Sequence, residues 1–128
     1  MISHVVLFKP RNGLSSSVVL AFAQAIRAAA TEIPGIRSAL VGRSVEIDPG
    51  YARSMGEMTY PFSAVLEFET RDALIGYLTH PRHAELGRMF WELCESTTVT
   101  EVETHDMASP DVVEFLMEGA RRQGIVGD

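Results

Sequence analysis

The chain opens on Ile2-Ser3-His4-Val5-Val6-Leu7-Phe8, an apolar, β-branched run that predicts a strand. Alternation puts Ile2, His4, Val6 and Phe8 on one face and Ser3, Val5 and Leu7 on the other. His4 is the polar exception on its own face. Pro10 to Gly13 predicts a turn, and the serines at 15–17 offer oxygens to cap a helix. Val18, Val19, Phe22, Ile26 and Ala29 recur at helical spacing, which predicts a helix from Ser16 to Glu32 with one side toward the core. Ile33-Pro34-Gly35 ends it, because proline cannot continue the ladder and glycine supplies the turn.

Ile36 to Ile47 predicts a second strand, with Gly42 inside it marking a bulge or a close approach. Asp48 to Tyr60 lacks periodicity and predicts a long loop. Met55 and Met58 in it offer flexible apolar lid contacts, with a disordered loop as the alternative. Phe62, Ala64, Leu66 and Phe68 alternate with Ser63, Val65 and Glu67 as a third strand. Thr70 then suits an N-cap and Asp72 the first turn of a helix to about Thr79. Pro81 disfavours helical backbone at His80 but fits the first position of a new helix. The helix is therefore expected to break and resume from Pro81 to about Leu93, with Leu86, Met89, Phe90 and Leu93 as its apolar side. Thr98 to Met107 predicts a fourth strand, Val99 and Val102 straddling a phase break. The order β-α-β-β-α-β is that of an α+β, ferredoxin-like unit over residues 1–107.

Residues 108–128 form an extension. Ser109 as cap, Pro110 at the first position, Asp111 and Glu114 early, and Arg121 and Arg122 late predict a helix to about Gln123. Val112, Phe115, Leu116 and Met117 need a surface, either their own subunit's helices or those of a partner. A four-stranded sheet with helices on one side leaves its other apolar face open, so a homodimer is expected. Ser3, Val5, Leu7, Ser63 and Val65 are the candidate contact residues.

Composition narrows the functional classes. At 128 residues the chain is one domain. A net charge of −6 and a pI near 5.2 argue against a nucleic-acid surface. The single cysteine, Cys94, has no internal disulfide partner, fits a reducing cytoplasm and reads as packing. No basic segment precedes an early apolar run, so no signal peptide is expected. The longest apolar stretch, Val18 to Ala30, holds Gln24 and Arg27 and is too short to span a bilayer.

Chemistry concentrates in Tyr77-Leu78-Thr79-His80-Pro81-Arg82-His83, which carries two of the four histidines. Imidazole and phenol are the side chains that move protons near neutral pH. His80, preceding the proline, reads as a cap for the helix break. His83, in the first turn after it, meets unpaired N–H groups that disfavour the imidazolium, so it is a candidate base. The proline keeps His80 and His83 off one continuous helical turn, and Glu85 is the one close carboxylate, so no metal site is expected. His105-Asp106 reads as a solvated strand edge.

Taken together, His4-Val5-Val6-Leu7-Phe8-Lys9, Ile33-Pro34-Gly35-Ile36, Val41-Gly42, Glu67-Phe68 and the Tyr77–His83 segment resemble the stress-responsive dimeric A/B barrel (Dabb) family. That resemblance implies a ferredoxin-like dimer in which two four-stranded sheets close into one barrel with helices outside. The family includes a plant polyketide cyclase, olivetolic acid cyclase, whose aldol-type ring closure uses a histidine on the first strand and a tyrosine and a histidine near the second helix. Carried over, these are His4, Tyr77 and His83, and the pocket lining would include Phe22, Ile26 and Phe90. Ile26 stands where the cyclase has a tyrosine. The implied activity is proton abstraction and ring closure of a small apolar or aromatic carbonyl compound, without a redox cofactor. His83 would be the base, Tyr77 the oxyanion donor and His4 the orienting group. The other class the resemblance leaves open is a non-catalytic, stress-linked binding or structural module.

Overall fold

A computed structural model describes residues 1–45, 47 and 59–127. The expected loop, with Met55 and Met58, lies almost entirely outside the described residues. Strand β1 (Ile2–Pro10) leads into helix α1 (Ser16–Glu32), then β2 (Ser38–Arg43) and β3 (Phe62–Phe68). Helices α2 (Arg71–Leu78) and α3 (Pro81–Leu93) follow, then β4 (Cys94–Glu103) and α4 (Val112–Arg122). The sheet runs β2-β3-β1-β4 with every neighbour antiparallel. This is the ferredoxin-like α+β arrangement, with α1 and α3 packed together over one sheet face.

Local chemistry sets the element ends. Ser15 Oγ accepts from the Val18 N–H at 3.3 Å to cap α1, and Gly35 takes a φ of +90° in the turn that follows it. Thr70 caps α2 through its hydroxyl. His80 caps α3, its ring Nδ1 accepting from Arg82 N–H at 3.1 Å, with Pro81 at the first helical position. Gly42 is a close approach: a Cβ there would meet Ser63 Oγ at 2.6 Å.

Several boundaries differ from expectation. β2 ends at Arg43 rather than Ile47, where its ladder with β3 stops at Phe62. β4 occupies Cys94–Glu103 rather than Thr98–Met107, because the nine-residue β1 pairs with it back to Pro10↔Cys94. Backbone partners on β1 recruit Cys94, Ser96 and Thr97 into a strand that their side-chain pattern does not announce, with Glu95 skipped at a register shift. Past Glu103 the chain turns away, with Thr104 N–H on the Met1 carbonyl and Asp106 accepting from Ala108 N–H. The phase break itself is observed, since Val99 lies opposite Val6 and Val102 opposite Ser3, on different faces.

The core lies between the helices and the face carrying Val6, Phe8, Ala64, Leu66 and Phe68, joined by Phe22, Ala29, Ile33, Leu74, Tyr77 and Leu86. Phe8, Phe22 and Phe90 form its aromatic centre, their rings edge-on at 4.9–6.0 Å. Cys94 is buried with this cluster, and burial pushes its thiol pKa up. The opposite face carries Val5, Leu7, Leu40, Val65 and Val102, of which Leu40 is 70% exposed. Ser3, expected among the contact residues, is buried: it is a small side chain flanked on that face by Glu67 and Val102.

The extension departs most. α4 begins at Val112, and Ser109 donates to the Asp111 carboxylate instead of capping the helix. No residue of α4 is buried, so it does not cover its own subunit's helices. His105 and Asp106 are exposed as expected but lie past the end of β4, where His105 Nε2 meets Asp111 Oδ1 at 2.8 Å and its ring stacks on Phe115 at 4.6 Å. Among the described residues, no helix is long and apolar enough to cross a membrane.

Candidate functional site: an imidazole–phenol cluster at a cavity wall

His4 projects from β1 toward the helices, on the same face as Val6 and Phe8. Tyr77 comes from the last turn of α2 and His83 from the first turn of α3, so the helix break at His80-Pro81 aims both at the sheet. Arg82 fixes that break to the end of α1, its Nε lying 2.7 Å from Glu32. The three expected residues meet. Ring centroids lie 5.6 Å apart for His4–Tyr77, 6.1 Å for His4–His83 and 4.9 Å for Tyr77–His83.

All three line a cavity of about 1190 Å³ between helices and sheet, as do Phe22, Ile26 and Phe90. Its floor is apolar, built from Val6, Phe8, Ala64 and Leu66. Val41, on the helix-facing side of edge strand β2, is 69% exposed, so α1 leaves the cavity open along that edge. His80 takes no part, its ring nitrogen being committed to the α3 cap. The two neighbouring histidines thus serve different structures.

The proton states follow from burial. Tyr77 is 3% exposed, and desolvation raises its phenol above the ordinary 10.0, so it keeps its proton at neutral pH. His83 is held below the ordinary 6.5, first by desolvation and then by the neighbouring His4. The nearby Leu78 backbone and the charge of Glu101 act in the opposite direction without reversing it.

Glu101 is the functional candidate that sequence reasoning missed. It faces His4 across the β1–β4 ladder, and its Oε1 lies 2.8 Å from His4 Nδ1. His4 is 4% exposed and would otherwise be a buried polar side chain without this partner. Only the β4 register marks Glu101, a polar residue turned to the helix side of its strand.

The arrangement defines a class: a ferredoxin-like domain with an apolar cavity and a small imidazole–phenol cluster at its wall. Residues 2–104 match the stress responsive A/B barrel domain, and the chain belongs to that (Dabb) family. No curated protein sequence matches it. In structure it is similar to a protein of Arabidopsis thaliana, with TM-score 0.68 and 18% identity over 85% of this chain and 100% of that one. A hydroxynitrile lyase from Passiflora edulis superposes with TM-score 0.67 and 16% identity, covering 84% of this chain and 96% of the lyase. A dimeric protein of unknown function from Bacteroides fragilis, also ferredoxin-like, gives TM-score 0.56 and 27% identity over 80% and 95% of the two chains.

Proposed function

We propose that this protein works as a cytoplasmic homodimer whose cavity binds a small apolar or aromatic carbonyl compound and abstracts a proton next to the carbonyl, as in aldol-type ring closure. The observation that carries this is the convergence of His4, Tyr77 and His83 on the wall of an apolar cavity. Side chains packed solid around them would have favoured a purely structural role.

In the step, His83 takes a proton from the carbon beside the carbonyl, and the C–H electron pair becomes the enolate double bond. Charge moves to the carbonyl oxygen, where the Tyr77 hydroxyl donates a hydrogen bond. The imidazolium so formed feels the Glu101 carboxylate, which favours that charged state. For ring closure the enolate carbon attacks a second carbonyl of the same molecule, and the alkoxide formed recovers the proton from His83. His4, held by Glu101, orients the substrate from the sheet side.

The dimer rests on the open sheet face, where Leu7, Leu40 and Val102 are exposed together with the half-buried Val5 and Val65. The dimeric Bacteroides fragilis protein agrees with that assembly. Loss of all signal for a dimer by light scattering at micromolar concentration would remove it.

The catalytic reading is tested by exchange of ketone α-protons in D2O, followed by NMR on ketones found by thermal shift. Acceleration by the wild type, lost in His83→Ala and lowered about tenfold or more in Tyr77→Phe, is expected. Ketones that bind and exchange at the buffer rate would leave a binding module.

A further inference from the structure

Five charged side chains line the cavity: Arg11, Arg27, Arg43, Glu95 and Glu101. Both acids are engaged, Glu95 with Lys9 at 3.3 Å and Glu101 with His4 at 2.8 Å. Arg11 donates through Nε to the Glu92 carbonyl at 3.1 Å. Arg27 and Arg43 differ. Among the described residues, no carboxylate lies within ion-pair distance of either, although Arg37, Arg82, Arg121 and Arg122 each have one. Among the described residues, the uncompensated charge lining this cavity is therefore positive, in a chain whose net charge is −6.

Position adds to sign. Arg43 stands on the helix-facing side of β2, opposite Phe62, whose ring stacks on Phe8 at 5.5 Å. Arg27 lies on the cavity side of α1 beside Ile26, with Ala23 and Ala30 one turn away on either side. Arg43 is at the open β2 edge, remote from the imidazole–phenol cluster, and Arg27 lines the same cavity from α1. His4 is opposite Leu66 and Ala39, whereas Arg43 is four residues along β2 and two strands across. Strand spacing and rise put the two Cα atoms roughly 16 Å apart, so a ligand that meets both must be elongated. The wall along that path is apolar, from Phe8 and Phe22 to Ile26 and Leu66.

We infer that the ligand is an apolar carbonyl compound with an anionic tail, a carboxylate or a phosphate, which Arg27 and Arg43 hold while its carbonyl end lies toward the imidazole–phenol cluster. Two guanidinium forks at the rim of an apolar slot bind such a group without burying an unpaired charge. This rests on the cavity being the site of proton abstraction, and it specifies which end of the ligand enters first: the carbonyl goes in and the anion stays at the β2 edge.

The test uses three probes, 9-oxodecanoate, 9-oxodecyl phosphate and decan-2-one, titrated calorimetrically into the full chain. At least one anionic probe should bind about tenfold tighter than decan-2-one, the stronger of the two naming the group. That preference should vanish in the Arg27→Gln/Arg43→Gln double variant, with decan-2-one affinity unchanged. It should persist in the Arg71→Gln/Arg88→Gln double variant, which removes the same two charges outside the cavity. Arg27 and Arg43 are exposed, so the double variant is expected to melt with the wild type. Equal binding of all three probes, a preference that survives the double variant, or no binding at all overturns the inference. A preference lost with the two arginines, but without α-proton exchange on any probe, upholds the anionic tail and removes the catalytic reading instead.

Discussion

Phe68→Ala probes the packing that holds the site together. Phe68 is fully buried, pairs with Ile2 at the end of the β1–β3 ladder, and places its ring 5.4 Å from that of Tyr77. Truncation removes the ring and leaves a cavity beneath α2, and such changes cost about 3–5 kcal/mol. Per-residue averages give a chain of this length a melting entropy of about 0.27 kcal/mol per kelvin, so the melting temperature should fall by about 11–19 °C. Phe68→Leu keeps most of the volume and should cost about 1 kcal/mol, or about 4 °C. It also removes the aromatic contact that restrains Tyr77, so ketone exchange should slow in a protein that is still folded. Calorimetry at one fixed protomer concentration is the assay, because a dimer's melting temperature depends on concentration. If Phe68→Ala melts within about 3 °C of the wild type, the core is not closed at this point and the fixed position of Tyr77 loses its basis.

Two further outcomes are expected. The His83 ring proton followed by NMR should titrate below 6.5. A folded pKa under the unfolded value means that the unfolded chain binds more protons between the two. His83 therefore contributes stability above pH 6.5 that is lost as pH falls through its folded value, and exchange should hold its rate below pH 6.5 before declining; a midpoint at or above 6.5 contradicts this. Deletion of residues 108–128 should leave the ferredoxin-like core folded, since no α4 residue is part of the buried core. On the proposal that α4 lays Val113, Leu116 and Met117 on the partner subunit, the truncated dimer should dissociate at higher concentration, whereas unchanged melting together with free proteolysis of the tail in the full chain would make it an appendage.

Much of this molecule was legible in its sequence because the governing forces are local. Alternation in Ile2–Phe8 and Phe62–Phe68 marked the strands and the helix-facing side, and the α1 period marked its core residues. Ser15, Thr70 and the His80-Pro81 pair cap and break helices through bonds within a few residues. Likeness to a known family supplied His4, Tyr77 and His83 as a set, and their meeting follows once β1 lies beneath the α2–α3 break. What pairing decides was not legible. Cys94–Thr97 became strand because β1 offered backbone partners, and Glu101 became the partner of His4 through register across 97 residues of chain. His105 left the strand edge for Asp111 and Phe115 because the chain turned after Glu103. Arg27 and Arg43 stand in different elements, and only the packing of α1 over the sheet makes them line one cavity. Sequence sets which residues can form a strand, a cap or a charge; the sheet register and the space under the helices set which of them face one another.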